Sequence, residues 1–76
     1  MEISKFLQNF ADLLDDTDAA LITDITIFRN LDEWDSLTAL SLIAMADEEY
    51  DVKLTGDDIK SATTMLDLFE IIKNKL

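Results

Sequence analysis

Ser36 is the residue in this chain with the most chemistry open to it. It stands in "EWDSLTALSL", after Asp35 and ahead of an apolar run. A serine hydroxyl can attack an electrophile, cap a helix, or carry a group that another enzyme attaches. Attack requires a base, and the chain contains no histidine, which removes the ordinary Ser-His triad. It contains no cysteine either, which removes a thiol nucleophile, disulfides, zinc sites of the usual Cys/His kind and haem ligation. Carboxylates and a few lysines remain, but no spacing pairs them for acid–base work. An active site of the chain's own is therefore not expected, and neither is a metal site. The segment "DDTDAALITD" fails as a calcium loop because it lacks the central glycine and the closing glutamate.

Charge narrows the partners. Six basic residues against seventeen acidic ones give a net charge of −11 over 76 residues. Such a surface repels nucleic acid phosphates and anionic membranes, and steers toward basic protein faces. Hydrophobic residues make up 49% of the chain, too many for a disordered acidic tail. No basic-then-apolar leader and no long uncharged apolar run is present, so a cytoplasmic protein without membrane insertion is expected. The length suits one small domain, residues 1–76, with a thin core.

The elements that must position Ser36 follow from apolar spacing. Ile3, Phe6, Leu7, Phe10 and Leu14 fall at i, i+3, i+4, i+7 and i+11, one face of an amphipathic helix that ends in "DDTD". Met65, Leu68, Phe69, Ile72 and Leu76 repeat that spacing in a last helix, opened by a capping box of Thr64 and Asp67. A helix over residues 36–50 would turn Ala39, Leu42, Ile43, Ala46 and Tyr50 inward. Thr55 and Asp58 open a short helical piece anchored by Ile59. Residues 15–35 form an unusually long connection, with Leu21, Ile22, Ile25, Ile27, Phe28 and Leu31 expected to be buried. A strand there has no obvious partner, so a loop pinned to the core with a turn of helix is expected. The fold class is all-α: a four-helix bundle of three longer helices and one short, with a long first loop.

At 100° per residue, the helix opened by Ser36 has a second apolar strip of Leu37, Leu40 and Ala44. Asp47, Glu48 and Asp51 lie on that same side, and the combination reads as a docking surface. As for Ser36, Asp and Ser both favour helix N-caps, so the tripeptide Asp-Ser-Leu alone reads as a cap. A helix N-terminus also favours a phosphate, so a phosphodiester on this hydroxyl would sit in a favourable field.

Taken in order, these segments resemble the acyl carrier protein family over essentially the whole chain. The match rests on length, acidity, a first helix, a long loop, "FRNL" and then "DSL" opening the next helix. It continues through "LIAMADEEYDVKL", with its acidic run, aromatic residue and extended exit, and through "TTMLDLFEIIKNKL" as the last helix. The resemblance implies a 4′-phosphopantetheine arm, derived from coenzyme A, on Ser36, with Asp35 helping to present that serine to a phosphopantetheinyl transferase. The arm would hold acyl or aminoacyl groups as thioesters and supply the thiol that the chain lacks. The partners implied are that transferase and acyl-loading and acyl-using enzymes with basic docking faces, meeting a monomeric carrier. Leu37, Leu40, Ala44, Asp47 and Glu48 match the family's partner-facing positions. Phe28, Leu42, Ile43, Ala46, Leu54 and Ile59 match residues that line a sleeve for the acyl chain, although core packing comes first for all six.

The chain also departs from the family pattern. Trp34 replaces a small residue before Asp35-Ser36, and its indole is expected either to pack the loop against the helix or to shape the surface around the arm. Thr38 and Ser41 replace acids frequent in carriers of fatty acid synthesis, and Gly56 with its neighbours replaces a proline. A specialised lipid, polyketide or peptide pathway thus stands beside fatty acid synthesis. The alternative from another class is an acidic helical adaptor that binds a basic protein partner without any prosthetic group.

Overall fold

The computed structural model describes residues 2–76 and contains four α-helices: α1 (Ile3–Ala11), α2 (Ser36–Tyr50), α3 (Gly56–Ser61) and α4 (Met65–Lys75). Two single 3-10 turns, Ala19–Leu21 and Phe28–Asn30, punctuate the long first connection. This is the expected bundle of three longer helices and one short. Among the described residues there is no strand, and one isolated antiparallel bridge joins Ile27 to Thr64. Thr64 is thus a pairing partner with no signal in the sequence. No described helix is long and apolar enough to cross a membrane.

Local chemistry explains the helix starts. Thr55 and Asp58 open α3, and Thr64 and Asp67 open α4, each through a complete capping box. α1 stops at Ala11, so Leu14 lies in the turn that follows rather than on the helix face. The reason lies outside the helix. The Asp15 and Asp16 N–H groups donate to the Glu33 carboxylate, at 2.7 and 3.1 Å, instead of to carbonyls one turn back. The Thr17 hydroxyl donates to the same carboxylate, so Glu33 folds the start of the first connection onto the entry to α2. Those bonds, led by Thr17, hold the Glu33 carboxyl below its ordinary range.

One hydrophobic cluster joins all four helices. Phe6 and Phe10 from α1, Phe28 from the connection, Leu42 and Ala46 from α2, and Met65, Leu68 and Ile72 from α4 are fully enclosed. Two details of the expected core change. On α2 the buried residues are Leu42, Met45 and Ala46, while Ala39, Ile43 and Tyr50 are half-buried. Met45 therefore belongs to the inward face, and Leu76 does not, since it caps α4 in solvent. In the connection only Ile22 and Phe28 are buried, and Leu31 is half-buried. Leu21, Ile25 and Ile27, expected inside, are exposed. Their backbone runs along the surface of the bundle, held by the Met65 and Leu66 N–H groups donating to Thr26 and Asp24 carbonyls.

Trp34 packs the connection against the core, as expected. Its ring meets Phe28 edge-on at 4.9 Å and stacks near Phe10 at 6.3 Å. Aromatic pairs at these separations add to the area they bury. Phe28 and Trp34 together set where the chain enters α2.

Candidate functional site

The start of α2 separates two roles that the sequence left joined. Asp35 is the N-cap: its backbone is extended and its carboxylate accepts the Thr38 N–H at 2.8 Å. That bond is the main cause of a carboxyl pKa below the ordinary value. A second bond braces the cap, with the Thr38 hydroxyl donating to the Glu33 carbonyl at 2.8 Å. Ser36 is the first helical residue, exposed, and no described group hydrogen-bonds its hydroxyl. Capping is done beside it, which leaves Ser36 free for other chemistry.

Ser36 borders an open, largely apolar cleft of about 570 Å³ between α2 and α3. Trp34, Ala39, Leu40, Ile43 and Ile59 supply its apolar lining. Arg29 and Lys60, two of the six basic residues of the chain, line it as well. Gly56 faces the cleft too, and a Cβ there would meet no atom within 4 Å. The glycine is therefore not needed for space.

The six residues matched to an acyl sleeve divide between two places. Ile43 and Ile59 line the cleft; Phe28, Leu42, Ala46 and Leu54 are buried in the core and do not reach it. Arg29 and Lys60 line the cleft without having been singled out in the sequence, and Ala39, expected to face the core, lines it as well. No spacing rule could find Arg29 or Lys60, because their place depends on α3 folding back across the connection. Arg29 secures that fold: its guanidinium donates to the carbonyls of Ile59 and Ala62 at the end of α3 and lies 4.9 Å from the centre of the Phe28 ring.

The outer strip of α2 is open to solvent. Leu37 is 73% exposed and Leu40 62%, and Ala44 and Glu48 are exposed beside them. Asp47 is half-buried and pairs with Lys53 at 2.9 Å, which partly neutralises it. That leaves Glu48 and Asp51 as the acids of that side without an ion pair among the described residues. Among the described residues, no group of three acidic side chains converges into a metal site.

These features allow limited chemistry. Among the described residues no acid or lysine is hydrogen-bonded to the Ser36 hydroxyl, and the adjacent Asp35 carboxylate accepts the Thr38 N–H. The hydroxyl can be modified by another enzyme, and the cleft can shelter an apolar chain beside it. Compared with models of known protein families and with curated proteins, the chain matches none.

Proposed function

We propose that the chain is a non-catalytic carrier that holds acyl or aminoacyl groups as thioesters on a 4′-phosphopantetheine arm attached to Ser36. The observation that carries this reading is the division at the α2 start. Asp35 caps the helix, and Ser36 is left as an exposed, unbonded hydroxyl at the edge of an apolar cleft. The site suits the group. A phosphodiester on Ser36 would lie at the N-terminus of a 15-residue helix, beside a cleft that Arg29 and Lys60 also line.

Attachment needs an outside base and an outside donor. The Ser36 oxygen forms a bond to the pantetheine-side phosphorus of coenzyme A, the pyrophosphate bond breaks, and the nucleotide portion leaves. The hydroxyl proton passes to a base on the transferase. When bound, the arm supplies the thiol that the chain lacks. The chain's own part is to present Ser36, offer the Leu37–Leu40 strip to partner enzymes and shield apolar cargo against Ile43 and Ile59.

The test is intact-mass spectrometry of the apo protein after incubation with coenzyme A, Mg²⁺ and a promiscuous phosphopantetheinyl transferase. The mass should rise by one arm, and Ser36→Ala should abolish the gain. No gain under conditions that load a control carrier would refute the reading. The exposure of Leu37 and Leu40 also favours a second reading, an acidic adaptor that docks a basic partner through α2 without an arm. On that reading Ser36→Ala leaves partner binding intact and Leu40→Ser removes it.

A further inference from the structure

The first connection bears an apolar surface that neither the core nor the Ser36 cleft uses. Leu21 is 66% exposed, Ile25 76% and Ile27 42%. The Thr26 hydroxyl donates to the Leu21 carbonyl at 3.2 Å, which closes residues 21–26 into a tight turn. The Leu66 N–H donates to the Asp24 carbonyl at 2.9 Å and the Met65 N–H to the Thr26 carbonyl at 3.0 Å. These bonds bring the first turn of α4 alongside the connection, and with it Leu66, itself 39% exposed. A lone exposed leucine needs no explanation. Four exposed apolar residues on adjoining, hydrogen-bonded backbone form a surface.

Charge identifies what covers it. No basic residue occurs between Lys5 and Arg29, and the guanidinium of Arg29 is engaged by α3. The charged residues closest in sequence to the four are Asp18, Asp24, Asp67 and, past the occupied Arg29, Glu70. A second copy would set these acids against their equivalents, with −11 on each chain, and an anionic bilayer would be repelled in the same way. A protein with apolar contact residues inside a rim of lysine and arginine meets both the apolar and the acidic parts. We propose that Leu21, Ile25, Ile27 and Leu66 form a docking surface for such a basic-rimmed protein partner, separate from the α2 strip. This surface is independent of whether Ser36 carries an arm.

The test is an NMR titration of the ¹⁵N-labelled full chain at near-physiological salt. The probe is a helical peptide with leucines on one face and lysines on the other. Saturable shifts are expected at the amides of residues 21–27 and 66. Ile25→Ser and Leu66→Ser should each weaken binding there about tenfold, while Leu37→Ser combined with Leu40→Ser should leave it unchanged. Both single changes lie at exposed side chains, so a folded amide spectrum is expected for each. Shifts confined to α2, or equal affinity in the Ile25 and Leu66 variants, would overturn the proposal. So would equal binding of an all-lysine peptide, which would leave only charge. A dimer in sedimentation equilibrium that Ile25→Ser dissociates would assign the surface to a second copy, and competition by anionic vesicles would assign it to a membrane. Either result would overturn the proposal too.

Discussion

Replacing Arg29 with methionine keeps much of the apolar stem and removes the guanidinium that holds the end of α3. The six residues of α3 form too short a helix to persist without tertiary anchors. Its N-terminus is satisfied by the Thr55–Asp58 box, and Asp58 also pairs with Lys75 at 3.2 Å. At the other end the last carbonyls lack intrahelical donors. The Asp58 carbonyl receives the Ser61 hydroxyl at 2.8 Å and the Ile59 carbonyl receives the Ala62 N–H at 3.2 Å. Arg29 adds a donor to Ile59 and supplies the donor to Ala62. A hydrogen bond to a charged group contributes roughly 1.5–3 kcal/mol, and a cation at a helix C-terminus adds about 0.3–1 kcal/mol. Arg29 is solvent-exposed, so the two bonds together are discounted to about 2 kcal/mol. For a domain of this size that corresponds to a fall in Tm on the order of 10 °C. Thermal denaturation followed by circular dichroism measures it, and amide exchange locates it, with faster exchange expected in α3 before α1 or α4. Arg29→Lys should recover only part of the loss, because an ammonium cannot span both carbonyls with a planar fork. A Tm for Arg29→Met within about 2 °C of the unaltered protein, with α3 exchange unchanged, would refute this account of how the cleft wall is held.

Two further outcomes follow from the same bonds and turns. Glu33→Gln should lower the Tm at neutral pH, because the ionised carboxylate accepts Asp15, Asp16 and Thr17. The folded-state pKa of Glu33 lies below its ordinary 4.5, so its contribution is complete above that value and is lost as pH falls through the folded value; the two melting curves should converge on acidification, and a constant gap from pH 7 to pH 3 would sink the assignment. Asp51 ends α2 in the left-handed region at φ 55°, next to a last turn with no basic residue. Asp51→Asn keeps a residue that tolerates this conformation and removes a negative charge from the negative helix end. Urea denaturation should show a gain of about 0.3–1 kcal/mol, and a loss of stability would contradict the reading.

What was legible in the sequence is what neighbours in sequence decide. The limits of α2 and the two Thr–Asp capping boxes rest on residues three or four apart, and the structure keeps them. The choice between Asp35 and Ser36 as cap was not legible, since adjacent residues of similar propensity compete and the winner depends on the path into the helix. That path is set by Glu33 bonding to residues 15–17 and by Trp34 packing on Phe28 and Phe10. Arg29 reaching α3, 30 and 33 positions along the chain, was equally invisible. Spacing counts also failed in the connection. They find apolar residues but cannot say which face of an irregular segment meets the core, so Leu21, Ile25 and Ile27 were expected inside. On α2 the same blindness hid Met45, because a helix apolar on two sides gives no single stripe to read.

On the proposed carrier reading, the attachment residue has to satisfy two opposed demands. The hydroxyl has to lie in the field of a helix N-terminus, where an anion is favoured, yet it must not serve as the cap, or the arm would displace a bond that the helix depends on. Adjacent Asp35 and Ser36 meet both demands: the aspartate takes the Thr38 N–H, and the serine begins the helix with its oxygen unbonded. Moving the cap to position 36 would couple modification to helix stability. Keeping it at 35 leaves the Thr38 N–H bond intact whether or not the serine is modified. Ser36→Ala should therefore cost almost no stability, whereas Asp35→Ala should cost the cap. Melting the two variants side by side separates these roles, and a larger loss in Ser36→Ala than in Asp35→Ala would show that the serine supports the helix after all.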